Sequence, residues 1–363
     1  MAETSSKIGR LDFLDWTRGF AAAVMLQGHV FHSFTDSALR QGSHYVLSQF
    51  VGGLPPAVFL FLTGVTLAFL MDRGEKQSLP LFDRWFKSIR RAGYLWGMAM
   101  LFRLQLFLVG WGQTSSNDLF TVDILNCMGL AIAVHSVFSL LDGPLRARAA
   151  FTFGLLIACA SPLISEATFS WMHPYVSHYL VPDIRFFSFF PWAAFLSFGL
   201  ATGTVLRLNS PERLPWLIGW AAAIGIVLIF GSQYFSNLPF SLYEHSEFWL
   251  NSPGLIFIKT GITLLIIASG YLWLGSYRHG SWSWLSQLGK ASMLVYWAHI
   301  ELVYGRWLGP WKGNLSVPHT ALLAVTIMLM MLGLAVLKVR WWNSLKLRLA
   351  QRTVGLSAPE PLK

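Results

Sequence analysis

Charge is what this sequence has least of. Only 12% of its 363 residues are Asp, Glu, Lys or Arg, while 54% are hydrophobic. A soluble domain carries about 25% charged residues, so the composition excludes one and leaves a polytopic membrane protein. Cysteine is scarce too. Cys127 and Cys159 both fall in apolar stretches, so no structural disulfide is expected and the redox compartment is not readable from them. The opening MAETSSKIGR lacks a short apolar region followed by a small-residue cleavage site, so no removable leader is expected. Fixed-period repeats, low-complexity tracts and inter-domain linkers are absent. The expected organisation is one transmembrane domain over 10–345 and a basic cytoplasmic tail over 346–363. Acidic residues number 17 against 27 basic ones, for a net charge of +10. The basic residues lie between apolar runs, the pattern of cytoplasmic loops, which argues against a nucleic-acid partner. No HExxH, GxSxG or glycine-rich phosphate loop occurs. His29 and His32 have an i, i+3 spacing but no carboxylate fixed beside them, so no metal is expected.

What is present is a series of apolar runs near the ~20 residues a spanning helix needs. Ten are read, at 13–34, 50–71, 89–110, 120–141, 148–165, 186–206, 214–232, 254–275, 286–307 and 318–338. Pro55 and Pro56 should break or kink the outer end of the second. Sorting the intervening loops alternately places about twenty Lys and Arg on one side, against Arg40, Arg185, Arg306 and Lys312 on the other. The expected fold is therefore an all-α integral membrane protein of about ten transmembrane helices with both termini in the cytoplasm. The basic amphipathic KVRWWNSLKLRLAQR should lie on the membrane surface.

The polar residues inside these runs are the candidates for chemistry, because ionisable groups at membrane depth must be paired or face a cavity. RLDFLDWTRGFAAAVMLQGHVFHSF carries Asp15, Arg18, His29 and His32 as one stripe. Eleven residues at 1.5 Å rise put His29 about 16 Å along the axis from Arg18. The structural alternatives are a headgroup ion pair for Asp15 and Arg18 and a packed interhelical donor for His29. Arg103 lies deep in the third run, Asp123 and Asn126 open the fourth one turn apart, and His299 and Glu301 lie in the ninth. By the charge sorting these converge on an outward-opening cavity. A histidine there is the natural general base near neutral pH, oriented by Asp36, Asp123 or Glu301. Arg18 with Arg84, Lys87, Arg90 and Arg91 could hold a polyanionic donor through the planar guanidinium fork, or simply anchor the cytoplasmic face.

These stretches resemble the transmembrane acyltransferases related to heparan-α-glucosaminide N-acetyltransferase. RLDFLDWTRGFAAAVMLQGH is similar to the family's opening. VFLFLTGVTLAF with Gly64, VDILNCMGLAIAV with Asp123, FFSFFPWAAFLSFGLATG with Pro191, Trp192 and Gly199, and LGKASMLVYWAHI with His299 resemble later segments in order. The resemblance implies transfer of an acyl group, typically acetyl from acetyl-CoA bound at the cytoplasmic face, to a hydroxyl or amine of an extracytoplasmic carbohydrate or glycolipid. It also implies two rival bases. The related acyltransferase-3 enzymes share an arginine, ten residues, then a histidine, matched here by Arg18 and His29. The glucosaminide enzyme uses a histidine in the loop before the second span, matched most nearly by His44. Read from charge and depth, and not from the resemblance, Asp15, Arg18, Arg84, Arg90 and Arg91 are the donor-side candidates, His32, Arg103, Asn126, His299 and Glu301 the acceptor-side ones, and Asp123 joins the two histidines as a catalytic candidate. The remaining expectations are a bacterial inner membrane as the location and a homodimer as a candidate assembly. The large N-terminal luminal domain of the animal enzyme is lacking, and the outer loops are short, leaving a long glycan little surface to grip. A secondary transporter using the same polar residues, or a non-catalytic partner that has lost the donor, are the alternatives; against transport, no paired half-length spans or inverted repeat is visible.

Overall fold

The computed structural model describes residues 11–110, 115–167, 169, 171–240, 242–276 and 282–355. The chain is all helical. In order the helices are α1 Asp12–Phe34, α2 Ser43–Gly52, α3 Pro55–Lys76, α4 Leu81–Val109, α5 Ile124–His135, α6 Gly143–Glu166, α7 Pro174–Leu180, α8 Phe189–Leu208, α9 Leu214–Ser236, α10 Pro253–Ser276, α11 Trp284–Lys290, α12 Ser292–Tyr304 and α13 Val317–Gly355. Eight stretches among the described residues are long and apolar enough to cross a membrane: 43–76, 81–109, 117–140, 143–166, 189–208, 211–236, 253–276 and 317–345. The chain is thus an all-α polytopic membrane protein.

Several expected boundaries move. The double proline does break the second run: α2 ends at Gly52, and Pro55 and Pro56 open α3, where a missing N–H costs nothing. The basic DRWFKSIRR is not a loop but the first turns of α4, a 29-residue helix. Two expected spans fall outside the eight. α1 carries Asp12, Asp15, Arg18, His29 and His32 in 23 residues, in place of an unbroken apolar run. The run 286–307 is divided at Ala291, whose φ −113° and ψ 13° separate α11 of 7 residues from α12 of 13. The basic segment after 338 is no separate surface helix; it continues α13, which runs unbroken for 39 residues.

The chain forms two compact units. One comprises residues 1–14 and 54–279, the other 15–53 and 280–363. In the first, α8 is central, packed on α3, α5 and α6, while α9 pairs with α10 and α4 with α5. The α3–α8 contact is backbone on backbone: a Cβ on Gly64 would run into the Leu196 carbonyl oxygen, and one on Gly199 into that of Phe61. Small residues permit this approach, and in lipid such close packing is what holds helices together.

The second unit packs α1 against α11, α12 and α13. Its core is Leu26, Val30, Phe31, Phe34, Leu288, Val295, Val303, Ile327 and Met331. α1 and α11 also meet at their backbones, because a Cβ on Gly19 would strike the Leu285 carbonyl and one on Gly289 that of Asp15. Leu315 donates its N–H to the Phe34 carbonyl, and Asp36 donates to that of Leu315, which fastens the end of α1 to the loop before α13.

Candidate active site

The second unit brings together residues 270 apart in sequence. His29, on α1, and His299, on α12, lie with Nδ1 of the first 2.9 Å from Nε2 of the second. Their rings are nearly parallel, 15° apart with centroids at 5.2 Å. His299 is wholly buried, and its Nδ1 lies 2.8 Å from the Val295 carbonyl oxygen. Both its nitrogens are therefore committed inside the protein, which leaves none for a substrate. His29 is half-buried, and its Nε2 bonds to no protein group among the described residues. The Tyr304 ring meets it edge-on at 5.5 Å. Ser33 donates to the Val303 carbonyl at 3.0 Å, one turn along the same α1–α12 seam. The neighbour that orients His29 is thus a histidine, where a carboxylate was expected.

The other candidates of this unit take different positions. Asp15 and Arg18 form an ion pair at 3.1 Å, with the aspartate almost wholly buried and the arginine about one-fifth exposed. His32 is exposed, 6.3 Å ring to ring from Tyr304. His44 is exposed in the first turn of α2, and no group among the described residues holds its ring. Glu301 accepts from the Trp307 indole at 3.3 Å. Lys312, outside the helices, donates to the carbonyls of Tyr304 and Gly305 at 2.8 and 2.7 Å, closing the end of α12. Its burial lowers its pKa.

In the first unit, Arg103, Asp123 and Asn126 are one group. Asp123 caps α5: its Oδ1 accepts from the N–H groups of Leu125 and Asn126 at 3.0 and 3.2 Å, and Asn126 returns the bond to the Asp123 N–H. This is the reciprocal cap that satisfies otherwise orphaned amides. Asp123 Oδ2 lies 3.2 Å from Arg103 Nε. Asn126 Nδ2 and the Trp96 indole both donate to the Tyr179 hydroxyl at 3.0 Å. The structure therefore gives Asp123 a capping and charge-pairing role.

The basic cluster divides. Arg84 donates to the Leu141 carbonyl at 3.2 Å and lies 3.9 Å from Glu75. Arg91 donates to Thr66 at 3.3 Å, and Arg90 is exposed. Two groups that sequence reasoning passed over complete this region. Arg146, 2% exposed, pairs with Glu75 at 2.9 Å, and Arg207 pairs with Asp72 at 2.7 Å. Partners 71 and 135 residues away leave no local signal. Lys259 was also missed, although a lysine within an apolar run was visible in the sequence. Its ammonium lies over the Trp192 ring, 5.1 Å from the centroid, a cation–π geometry.

The segments 117–121 and 173–186 enclose a cavity of about 550 Å³ lined by Asn117, Asp118, Phe120, Thr121, His173, Tyr175, His178 and Phe186. Phe186 stacks on His178 at 4.1 Å, and Tyr175 donates to Asn117 at 3.1 Å. These loops form a concave, aromatic and polar surface. Beside it Arg185 grips Asp183 through two bonds of 3.1 and 2.8 Å, which holds that carboxyl below its ordinary pKa. Among the described residues no three His, Cys, Asp or Glu side chains gather as metal ligands.

The apolar helices, the opening stripe and the capped α5 agree with the comparison to known families. The family described as heparan-alpha-glucosaminide N-acetyltransferase, catalytic, matches residues 10–237. That interval holds α1 to α9, with His29, His44, Arg103 and Asp123, and stops before His299. No curated protein matches the chain. With more than half of its length matched, the chain belongs to the heparan-alpha-glucosaminide N-acetyltransferase catalytic family, whose activity is that of a membrane acetyltransferase.

Proposed function

We propose that the protein moves an acyl group, acetyl first among them, from cytoplasmic acyl-CoA to a hydroxyl or amine on an extracytoplasmic sugar or glycolipid, with His29 as general base. The observation that carries this reading is the His29–His299 pair at 2.9 Å. It gives one histidine of the first helix a fixed ring and an unengaged nitrogen. His44, the rival, is exposed and unheld. His29 takes the acceptor proton as the oxygen or nitrogen attacks the thioester carbonyl. It then yields that proton to the departing thiolate, so the products are the acylated acceptor and the free thiol of CoA.

Arg18 is the donor-side cation of the unit that carries His29, and Arg90 and Arg91 are the basic candidates of the other unit. Arg90 is exposed, and Arg18 keeps about one-fifth of its side chain open beside Asp15. Arg84 does not fit this role as well, because Glu75 and the Leu141 carbonyl already occupy it. Aromatic faces beside amide and carboxylate groups at Asn117, Asp118, Phe120 and Phe186 supply the kind of surface a sugar ring uses. The charge sorting supports cytoplasmic termini, and the composition suits a bacterial inner membrane.

The test is transfer of radiolabel from acetyl-CoA by the purified protein to a panel of amino sugars and membrane glycolipids. A general base contributes about 10²- to 10⁴-fold, so His29→Ala should lose that much while His44→Ala stays within a few-fold. Full activity in His29→Ala would remove His29 from the chemistry. Failure to consume donor with any acceptor, including crude envelope extract, would remove the transferase reading. Substrate flux without acylation would then favour transport.

A further inference from the structure

His299 has no free nitrogen and no access to solvent, yet it touches His29, whose Nε2 bonds to no protein group among the described residues. The proton positions in this pair follow from the acceptors. A carbonyl oxygen can only accept, so the 2.8 Å contact to Val295 requires a proton on His299 Nδ1. The 2.9 Å nitrogen–nitrogen contact requires one proton and one lone pair. An additional proton on His299 would be a charge in a fully buried site, where it is costly. With its single proton on Nδ1, His299 presents a lone pair at Nε2. His29 must then donate from Nδ1, and its own lone pair is left on Nε2.

We propose that His299 is a positioning residue that locks His29 in the Nδ1–H tautomer, so that Nε2 faces the acceptor as a base. The inference rests on the reading of His29 as that base. The arrangement has the logic of a nucleophile's base held by a third group, with an imidazole in the place usually taken by a carboxylate. The lock is a packed one. The nearly parallel rings, the buried Val295 and Val303 on either side, and the Ser33 bond to the Val303 carbonyl fix α12 against α1 at this level. A neutral partner leaves the His29 cation without a full counter-charge, which favours release of the proton to the thiolate. A free histidine in water favours the opposite tautomer, so the lock changes which nitrogen is basic.

The experiment is two-bond proton–nitrogen NMR on the full-length protein with ring-labelled histidine, the His29 signals being assigned by their loss in His29→Gln. Acetyl transfer is measured on the same samples. The wild type should show His29 protonated at Nδ1. His299→Leu, which removes the acceptor, should move the proton to Nε2 and lower kcat at least about tenfold with KM for donor and acceptor nearly unchanged. His299→Gln, whose amide oxygen can accept from His29, should keep the Nδ1–H form and recover most of kcat. A wild-type His29 protonated at Nε2 overturns the proposal whether or not either variant folds. So does an unchanged tautomer in His299→Leu. Failure of the base reading shows differently: His29→Gln would retain full transfer while the tautomer still responded to His299.

Discussion

The residues at membrane depth are mostly committed to one another, and that separates structural from chemical roles. Asp123 performs three tasks in the first unit: it caps two amides, pairs with Arg103 and donates its own N–H to Asn126 Oδ1. Asp123→Asn keeps the cap, since asparagine caps as well as aspartate, but leaves Arg103 without its counter-charge. Breaking a buried pair in this way costs about 3–5 kcal/mol, and the partial exposure of Arg103 reduces that to about 1–3. Asp123→Ala should lose about 1 kcal/mol more through the cap. Thermal unfolding in detergent should rank wild type above Asp123→Asn above Asp123→Ala, with Arg103→Met restoring part of the loss in Asp123→Asn. Turnover per folded molecule should hold in all of them. A collapse of kcat at unchanged stability would return Asp123 to the chemistry.

At the level of helices, two glycine contacts set how closely the framework packs. Gly64→Ala or Gly199→Ala would push a Cβ into a carbonyl of the facing helix, an overpacking of about 1–3 kcal/mol. Gly219→Ala on α9, where a Cβ meets nothing within 4 Å, should be neutral or slightly stabilising, since alanine is the better helix former. Equal melting temperatures for the three variants would show that the α3–α8 seam is looser than its geometry. Much of this framework was legible. Apolar runs announce spans because lipid demands internally bonded backbone, and Pro55 and Pro56 announced the α2–α3 break because proline cannot continue a helix. The i, i+3 pair of Asp15 and Arg18 was legible for the same local reason. The Ala291 break was not, since its neighbours Lys290 and Ser292 are ordinary helix residues and Gly289 is glycine for its contact with the Asp15 backbone. Nor were Arg146 with Glu75, or His29 with His299, because a pair joined only by tertiary packing leaves no spacing to count.

For the whole molecule, α1 and the α11–α12 pair lie outside the eight long apolar stretches among the described residues, yet their lengths suit a crossing. α1 has 23 residues, about 34 Å at 1.5 Å each, which suffices for a ~30 Å core. α11 and α12 are each too short, but end to end they hold 7 and 13 residues, about the required number. For α1 the flanking charges agree, since Lys7 and Arg10 precede it and Arg40 alone follows soon after; for the α11–α12 pair they give no bias, since Lys290 ends α11 inside the stretch and Arg306 and Lys312 follow it. Counting eight or ten crossings leaves an even number, so the relation of the two termini does not decide the matter; the loops beside these two elements do. Single cysteines at Ser37, Ser210 and Gly309, placed in a Cys127→Ala, Cys159→Ser background, can be labelled in intact cells with a membrane-impermeant maleimide. If both elements cross, Ser37→Cys and Gly309→Cys should label from outside, while Ser210→Cys and an N-terminal tag should react only after permeabilisation. An N-terminal tag on the same side as Ser37→Cys would lay α1 along the interface, and His29 would then stand where no acceptor from across the membrane could reach a donor held on the other face.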